Sequence, residues 1–578
     1  MIDNGALNQF QANLIIEECI RNQVRIFCIS PGSRSTPLTI AAARNKRAEC
    51  VICLDERGAA FHALGIARAR NHPAALVCTS GTAVANYYPA LVEAFTDAIP
   101  LIVLSADRPP ELLDTGANQT IDQNRIFGTY VKSFTSLPCP GETTSPAYVL
   151  DTIDRAIYTS MAPTGGPVHL NCRFREPLTG AVKDSACNQH LSPKRRSNGN
   201  EPCTRLDNNA IFMPSKGGIN RLRASIAGAK RPLLCVGRLK PHEYRPIRVL
   251  AQKIACPIFA DIQSGLHTEH FTNVIPCLDT YLTHSNDERM HPDLIIHIGK
   301  AVTSKHLQRF IAESFAGTLI VIGNDGKPFD PDHRCDMRIE GDISIMCKKI
   351  APLLSDIPSS YATTSSRVRQ KIVQRLADVF AQNAPALEPQ AAYCTAKALP
   401  GNYNLFLGSS LPIRHFDSFV YCLHPSVSVA ANRGASGIDG TLATAAGFAR
   451  GSGKPVLCVL GDLSFLHDLN SLHLLDDLPH QFIIVLFNNH GGGIFDFLPV
   501  AKEYDVYQRY FKAAHSISFK HAALQFGLDY NLLSAHDQLD VLFAKCLKGG
   551  RHTLIEIASR SQDVLRFYDS FYKALAGT

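Results

Sequence analysis

A chain of 578 residues, 45% of them hydrophobic, is long enough for three or four domains of ~150 residues, each with its own core. Its 58 basic and 51 acidic residues are spread along the chain, and the longest basic run is the short Lys194–Arg196 stretch, so a nucleic-acid partner is not indicated. No window reaches the ~18 uncharged apolar residues of a membrane span, and the opening MIDNGALNQFQANLIIEECI lacks the pattern of a signal peptide; a cytoplasmic location is expected.

The first part alternates short β-rich apolar runs with segments of helical spacing: VRIFCIS, VICLD, AALVCTS, PLIVLSA and then GPVHLNC. Such alternation predicts a parallel sheet with helices on both faces. The polar stretch VKDSACNQHLSPKRRSNGNEPC cannot bury a core and reads as a linker. A second α/β unit follows, with strands expected at RPLLCVG, CPIFAD, DLIIHIG and GTLIVIG, and it ends near LLSDIPSSYATTSS. The last third repeats the alternation in NLFLG, KPVLCVLGD, QFIIVLFNN and HTLIEIA, with no obvious repeat in residue identity. The expected division is 1–185, a linker at 186–215, a central domain at 216–355, a linker and helix at 356–385, and a last domain at 386–578. The fold class is therefore α/β, three consecutive domains with mostly parallel central sheets.

The eighteen cysteines are scattered singly through apolar runs and read as small buried hydrophobes. Cys50 and Cys53 form the one close pair, but no second pair stands at zinc-site spacing.

In the last domain one strand runs into Gly461-Asp462, and the next runs into Asn488-Asn489-His490-Gly491-Gly492. Both ends lie beyond the carboxyl ends of strands, where open α/β sheets bind ligands. Asp462 and Asn489 are 489 − 462 = 27 residues apart, one strand-helix-strand unit. A carboxylate (Asp462), an amide oxygen (Asn489) and the Gly491 carbonyl supply three hard oxygens for Mg²⁺, with Mn²⁺ as the alternative ion. Gly461, Gly491 and Gly492 let the backbone approach phosphate groups, and Leu463 and Ser464 open a helix with free N–H groups. Each half alone is also an ordinary turn or helix cap. Together they resemble the thiamine-diphosphate motif written GDG followed by NN, with Leu463 in place of the last glycine. Enzymes of that superfamily need one glutamate beside the cofactor's aminopyrimidine, at the end of the second strand of the other α/β domain; Glu56 in VICLDERGAAF has that placement.

The segments SPGSRSTPLT, DERGAAFHALG, TSGTAVANYYPA, SADRPPELLDTGANQTIDQ, NRGASGIDG, GDLSFLHDLN and GGGIFDFLP make the likeness specific. They resemble the 2-succinyl-5-enolpyruvyl-6-hydroxy-3-cyclohexene-1-carboxylate synthase family of menaquinone biosynthesis, in which leucine after Gly-Asp is usual. The resemblance implies a thiamine-diphosphate-binding fold, decarboxylation of 2-oxoglutarate, and 1,4-addition of the remaining four-carbon unit to isochorismate. It implies substrate-binding roles for Ser33, Arg34, Arg108, Asn118, Gln119, Lys305, Ser410, Arg414 and Arg433, and for His306 where the family more often has arginine. Ile494, Phe495 and Leu498 map to the wall beside the thiazolium, with Ile494 also touching the cofactor, and Ile438 to the side chain that holds the cofactor bent. With Glu56 and the metal motif in different domains, sites between subunits of a homodimer or homotetramer are expected. The competing readings are another thiamine-diphosphate 2-oxo acid decarboxylase or acetohydroxyacid-type synthase, and a catalytically silent binding homologue.

Overall fold

The computed structural model describes residues 3–180, 201–206, 213–285, 287–324, 326, 330–354, 359–381, 388–533 and 539–576. Most of the expected linker at 186–215, and parts of that at 356–385, lie outside the described residues; within the second, Ser359–Ala381 is a helix.

The first sheet is built from β1 (Ile26–Ile29), β2 (Glu49–Ile52), β3 (Ala74–Cys78), β4 (Leu101–Asp107), β5 (Phe134–Leu137) and β6 (Pro167–Arg173). Their order is β2-β1-β3-β4-β6-β5, with every neighbouring pair parallel. The second sheet contains β7 (Pro232–Val236), β8 (Ile258–Ala260), β9 (Leu294–Ile298), β10 (Thr318–Gly323) and β11 (Met337–Glu340), in the order β11-β10-β9-β7-β8. The third contains β12 (Asn404–Leu407), β13 (Val429–Ala430), β14 (Val456–Gly461), β15 (Phe482–Asn488), β16 (Asp529–Leu533) and β17 (Thr553–Ala558), in the order β13-β12-β14-β15-β17-β16. Counted from its own first strand, the third sheet repeats the first: both run 2-1-3-4-6-5. In each, chain progress reverses between the first and third strands, the switch point at which doubly wound sheets take ligands.

Central strands are buried along their whole length, as in β3, β4 and β15, because helices cover both faces. Alternate residues of the second sheet feed two separate cores. Leu233, Ile295 and Leu319 pack with Ile372 of the 359–381 helix and with Val564 and Phe571 of the Ser561–Ala576 helix; Leu234, Ile296 and Ile320 pack with Leu222, Leu250 and Ile350. All described cysteines are free, and most of them are buried.

The chain forms two compact units. The first comprises Met1–Ala210, Asn432–Val456 and Leu466–His480; the second comprises Ile211–Ala431, Leu457–Phe465 and Gln481–Thr578. Within the first unit, the helix Glu56–Arg70 lies against the helix Thr441–Ser452. Their backbones meet through glycine. A Cβ on Gly65 would sit 2.0 Å from the Thr444 carbonyl oxygen, and one on Gly447 would sit 2.0 Å from that of His62. Among the described residues no helix is long and apolar enough to cross a membrane.

Candidate active site

Glu56 opens its helix directly after β2. The turn is fixed by Asp55, whose carboxylate caps the helix by accepting from the Arg57 and Gly58 N–H groups and also takes a bond from Asn470. Glu56 itself is half-buried, and its carboxylate has no hydrogen-bond or ion-pair partner among the described residues. An acid so placed is available to an incoming group.

Four neighbouring loops of the same unit converge on Thr79 and Ser80, just beyond β3. Arg34 is buried; its backbone N–H donates to Thr79 Oγ1 at 3.2 Å, and its guanidinium binds the Phe174 carbonyl at 3.0 Å and Glu176 at 2.9 Å. Arg108 donates to Ser80 Oγ and to the Asn118 carbonyl at 2.8 Å. Gln119, at φ +55°, donates to the Ser80 carbonyl and accepts the Ser80 hydroxyl on its own carbonyl. Burial, and then the charge of Arg108, lower the pKa of the Arg34 guanidinium. Arg34, paired with Glu176, and Arg108 thus bring two positive charges to one polar floor. Ser33, Asn118 and Gln119 are exposed. Arg433 follows Asn432 in a loop held by Glu93, which accepts the N–H groups of Gly434, Ala435 and Ser436. Ile438 lies in the same loop, 37% exposed.

In the second unit, β14 ends at Gly461 and β15 at Asn488, side by side in the third sheet. The buried Asp462 accepts the Leu463 N–H at 2.7 Å on one oxygen and the Gly491 N–H at 2.9 Å on the other. His515 Nε2 stands 3.3 Å from that second oxygen. Burial raises the Asp462 pKa against the pull of these N–H groups and of His515, which is how a carboxylate short of counter-charge behaves. Asn489 is 8% exposed; its Nδ2 donates to Glu388 at 3.0 Å, while its buried Oδ1 has no partner among the described residues. The Gly491 carbonyl accepts the Gly493 N–H, which leaves one lone pair over.

These features fit a divalent cation carrying a diphosphate. An orphaned buried amide oxygen, an under-compensated carboxylate and open space where Gly461 would carry a Cβ lie in one cluster. Gly491 and Gly493 are glycines because the protein's own atoms stand close to them. A Cβ on Gly491, at φ +143°, would meet the Lys512 carbonyl at 2.4 Å, and one on Gly493 would meet Asn489 Nδ2 at 2.7 Å. Leu463 is half-buried and Ser464 buried on the short Asp462–His467 helix, and Gly492 donates to the Lys512 carbonyl. Ile494 and Phe495 lie half-buried in the 3₁₀ turn Gly493–Phe497, and Leu498 follows it exposed.

Ser410 sits at φ +77° where β12 turns into the helix Leu411–Phe419, and its carbonyl accepts the Arg414 guanidinium. Lys305 is exposed at the start of the Ser304-capped helix Lys305–Glu313. His306 packs on His284 and Tyr572, its Nε2 3.2 Å from the Tyr572 hydroxyl. Burial lowers its pKa, so at neutral pH it is an uncharged hydrogen-bonding ring and does not supply an arginine's charge. The sequence alone did not single out Thr79, Ser80, Glu93 or Glu388, which the fold brings to these residues. Only the glycine and hydroxyl pattern of TSGT after a strand pointed toward the first two.

Three family models cover most of the chain: the N-terminal TPP binding domain of thiamine pyrophosphate enzymes at residues 11–126, the middle domain at 220–407 and the C-terminal TPP binding domain at 420–557. Fold and matches together define a thiamine-diphosphate (pyrophosphate) enzyme with three parallel-sheet domains. Curated 2-succinyl-5-enolpyruvyl-6-hydroxy-3-cyclohexene-1-carboxylate synthases resemble it from end to end. That of Rubrobacter xylanophilus is 39% identical over 575 residues, 99% of each chain; that of Chlorobium phaeobacteroides is 39% identical over 568, 98% of this chain and 97% of the relative; that of Salinibacter ruber is 39% identical over 555, 94% and 92%. The chain belongs to the 2-succinyl-5-enolpyruvyl-6-hydroxy-3-cyclohexene-1-carboxylate synthase family.

Proposed function

We propose that this chain decarboxylates 2-oxoglutarate and adds the resulting succinic-semialdehyde unit in 1,4 fashion to isochorismate, giving 2-succinyl-5-enolpyruvyl-6-hydroxy-3-cyclohexene-1-carboxylate and carbon dioxide for menaquinone biosynthesis. The observation that carries this reading is the cluster of Asp462, Asn489 and Gly491 at two adjacent strand ends, in a chain that matches synthases of this name over nearly its whole length. Asp462, the Asn489 amide oxygen and the Gly491 carbonyl hold Mg²⁺ or Mn²⁺, and through it the diphosphate. Bound thiamine diphosphate supplies the electron sink that lets a 2-oxo acid lose carbon dioxide. Glu56 holds a proton on a carboxyl oxygen and exchanges it with the aminopyrimidine, a task for which its lack of other partners suits it.

Both substrates carry two carboxylates, which accounts for the number of cationic side chains. Ser410 and Arg414 recognise 2-oxoglutarate; Arg34, Arg108 and Lys305 serve isochorismate, with Ser33, Asn118, Gln119, His306 and Arg433 lining its place. Ile438, Ile494, Phe495 and Leu498 give the reacting carbons an apolar wall, and Gly461, Leu463, Ser464 and Gly492 receive the diphosphate. The expected division assigns Glu56 to 1–185 and the metal ligands to 386–578, and each active site joins these parts from two copies of a homodimer or homotetramer. Ile52 and Leu54, left 45% and 66% exposed immediately before Glu56, support a surface that a second copy covers.

The test is incubation with 2-oxoglutarate, isochorismate, Mg²⁺ and thiamine diphosphate, followed by mass spectrometry. The adduct mass, dependent on all four, is expected. Carbon dioxide release without adduct, or adduct formation with pyruvate in preference to 2-oxoglutarate, overturns the assignment.

A further inference from the structure

Beneath the Asp462–Asn489 cluster lies a buried polar network that the reaction as described does not use. Glu388, the first residue of the helix Glu388–Ala398, is fully buried, yet its carboxylate accepts three donors: Asn489 Nδ2 at 3.0 Å and Ser559 Oγ at 2.6 Å on Oε1, and His415 Nε2 at 2.9 Å on Oε2. The other ring nitrogen of His415 lies 2.8 Å from the Tyr568 hydroxyl, itself buried. Both carboxyl oxygens of Glu388 act as acceptors, Oε1 twice and Oε2 once. A buried carboxylate kept only to stabilise the fold would be a poor choice, since an apolar replacement of similar size is often as stable. What this one does is choose an orientation. Its Oε1, which also takes the Ser559 hydroxyl, accepts from Asn489, so the amide turns its NH₂ inward and leaves Oδ1, a buried oxygen without a partner among the described residues, facing away from Glu388.

We infer that Glu388 is a positioning residue for the cofactor metal, acting through Asn489: it fixes the amide so that oxygen and not nitrogen is offered to the cation. The same carboxylate, through His415, also anchors the helix that carries Arg414, the neighbouring residue. This inference rests on the proposed metal role of Asn489. With glutamine in place of Glu388, His415 claims the amide oxygen and the amide nitrogen faces Asn489. Two NH₂ groups cannot pair, so Asn489 turns over and presents nitrogen to the metal, which a hard cation does not take.

The experiment titrates Mg²⁺ by calorimetry into metal-free full-length protein at saturating thiamine diphosphate, alongside Tm of the metal-free protein. Glu388→Gln is expected to weaken Mg²⁺ binding roughly ten- to hundredfold, with a Tm close to that of the parent. The double variant Glu388→Gln with Asn489→Asp reverses the polarity of the pair, restores a hydrogen bond between them, returns oxygen to the metal and recovers most of the affinity. Glu388→Asp keeps the charge but gives up reach, so it loses affinity too; it serves if the glutamine variant does not fold. Parental Mg²⁺ affinity in Glu388→Gln or Glu388→Asp, or a double variant no better than Glu388→Gln, overturns the inference. Asp462→Ala, titrated in parallel, separates the two failures. If it binds Mg²⁺ normally the metal site itself is misassigned; if it does not while Glu388→Gln does, only the role of Glu388 falls.

Discussion

The first and third sheets share one strand order, 2-1-3-4-6-5, and put different chemistry on equivalent strand ends. After the first strand stand Ser33 and Arg34 in one sheet, Ser410 and Arg414 in the other. After the second stand Glu56 and Arg433, after the third Ser80 and Asp462, and after the fourth Arg108 and Asn489. The helices that follow the two second strands, Glu56–Arg70 and Thr441–Ser452, pack on each other through Gly65 and Gly447. One topology thus offers the same four loops twice. The first set keeps an unpaired acid and two arginines over a polar floor; the second gathers a carboxylate and a free amide oxygen at adjacent strand ends. Fold sets where a site can be, and the residues at the strand ends decide what each half does there.

If that division is right, damage to the two halves fails differently. Glu56→Gln is expected to lower turnover roughly a hundred- to ten-thousandfold while cofactor affinity, measured by calorimetry, stays near the parental value, because an amide cannot relay a proton. Asp462→Ala is expected to do the reverse, weakening Mg²⁺ and diphosphate binding together by more than the roughly ten- to hundredfold typical of residues behind the ligands. Near-normal turnover in the first, or unchanged affinity in the second, breaks the comparison.

Arg414→Ala probes the first-strand loop of the third sheet. Losing a charge-assisted pair there costs about 2–4 kcal/mol, about thirty- to a thousandfold in kcat/KM with 2-oxoglutarate. The residual rate with pyruvate is expected to change far less; equal losses would make Arg414 a structural support. Gly65→Ala tests the paired helices, where the added methyl meets the Thr444 carbonyl. A destabilisation of about 1–3 kcal/mol is expected from the fall in Tm, and an unchanged Tm would mean the helices are not held at that distance.

The most gradual effect concerns pH. His62 is fully buried between the paired helices, its Nδ1 3.3 Å from the Ala443 carbonyl, and burial pushes its pKa down to about 3 from 6.5. The folded pKa is depressed, so its contribution is present above pH 6.5 and is lost as pH falls toward 3. Each pH unit in that window costs about 1.36 kcal/mol for one such group. His62→Gln should flatten the decline of stability between pH 6 and 4 by up to that slope; an unchanged slope moves the acid sensitivity to other groups, such as His169 and His297, whose pKa values burial pushes down to about 3 and about 4.

The sheets were legible wherever a strand is buried on both faces. Runs such as AALVC and FIIVLFN are apolar throughout, and strands stand where they were expected. The strands not anticipated are β5, β11, β13 and β16, every one at a sheet edge. Edge strands bury one face at most or are very short, so FTSL, MRIE and DYNLL carry no continuous apolar run. The duplicated topology was hidden for the same reason, since strand order depends on knowing the edges. Asp462, Asn489 and Glu56 stood out as candidates because their glycine neighbours and strand-end placement leave a local mark. Glu388 left none: its partners Asn489 and Ser559 lie 101 and 171 residues away, and only the folded chain brings them together.

Mixing two inactive variants tests the division of labour most directly, because it asks whether halves from different copies complete one site. Glu56→Gln and Asp462→Ala subunits, dissociated together and reassembled with cofactor, Mg²⁺ and both substrates, are predicted to regain about a quarter of the parental rate for random pairing into dimers, where one site in each mixed pair is intact. A mixture as inactive as its components, with mixed assemblies demonstrated by mass spectrometry, would contradict the account and place both residues in a site made by a single copy.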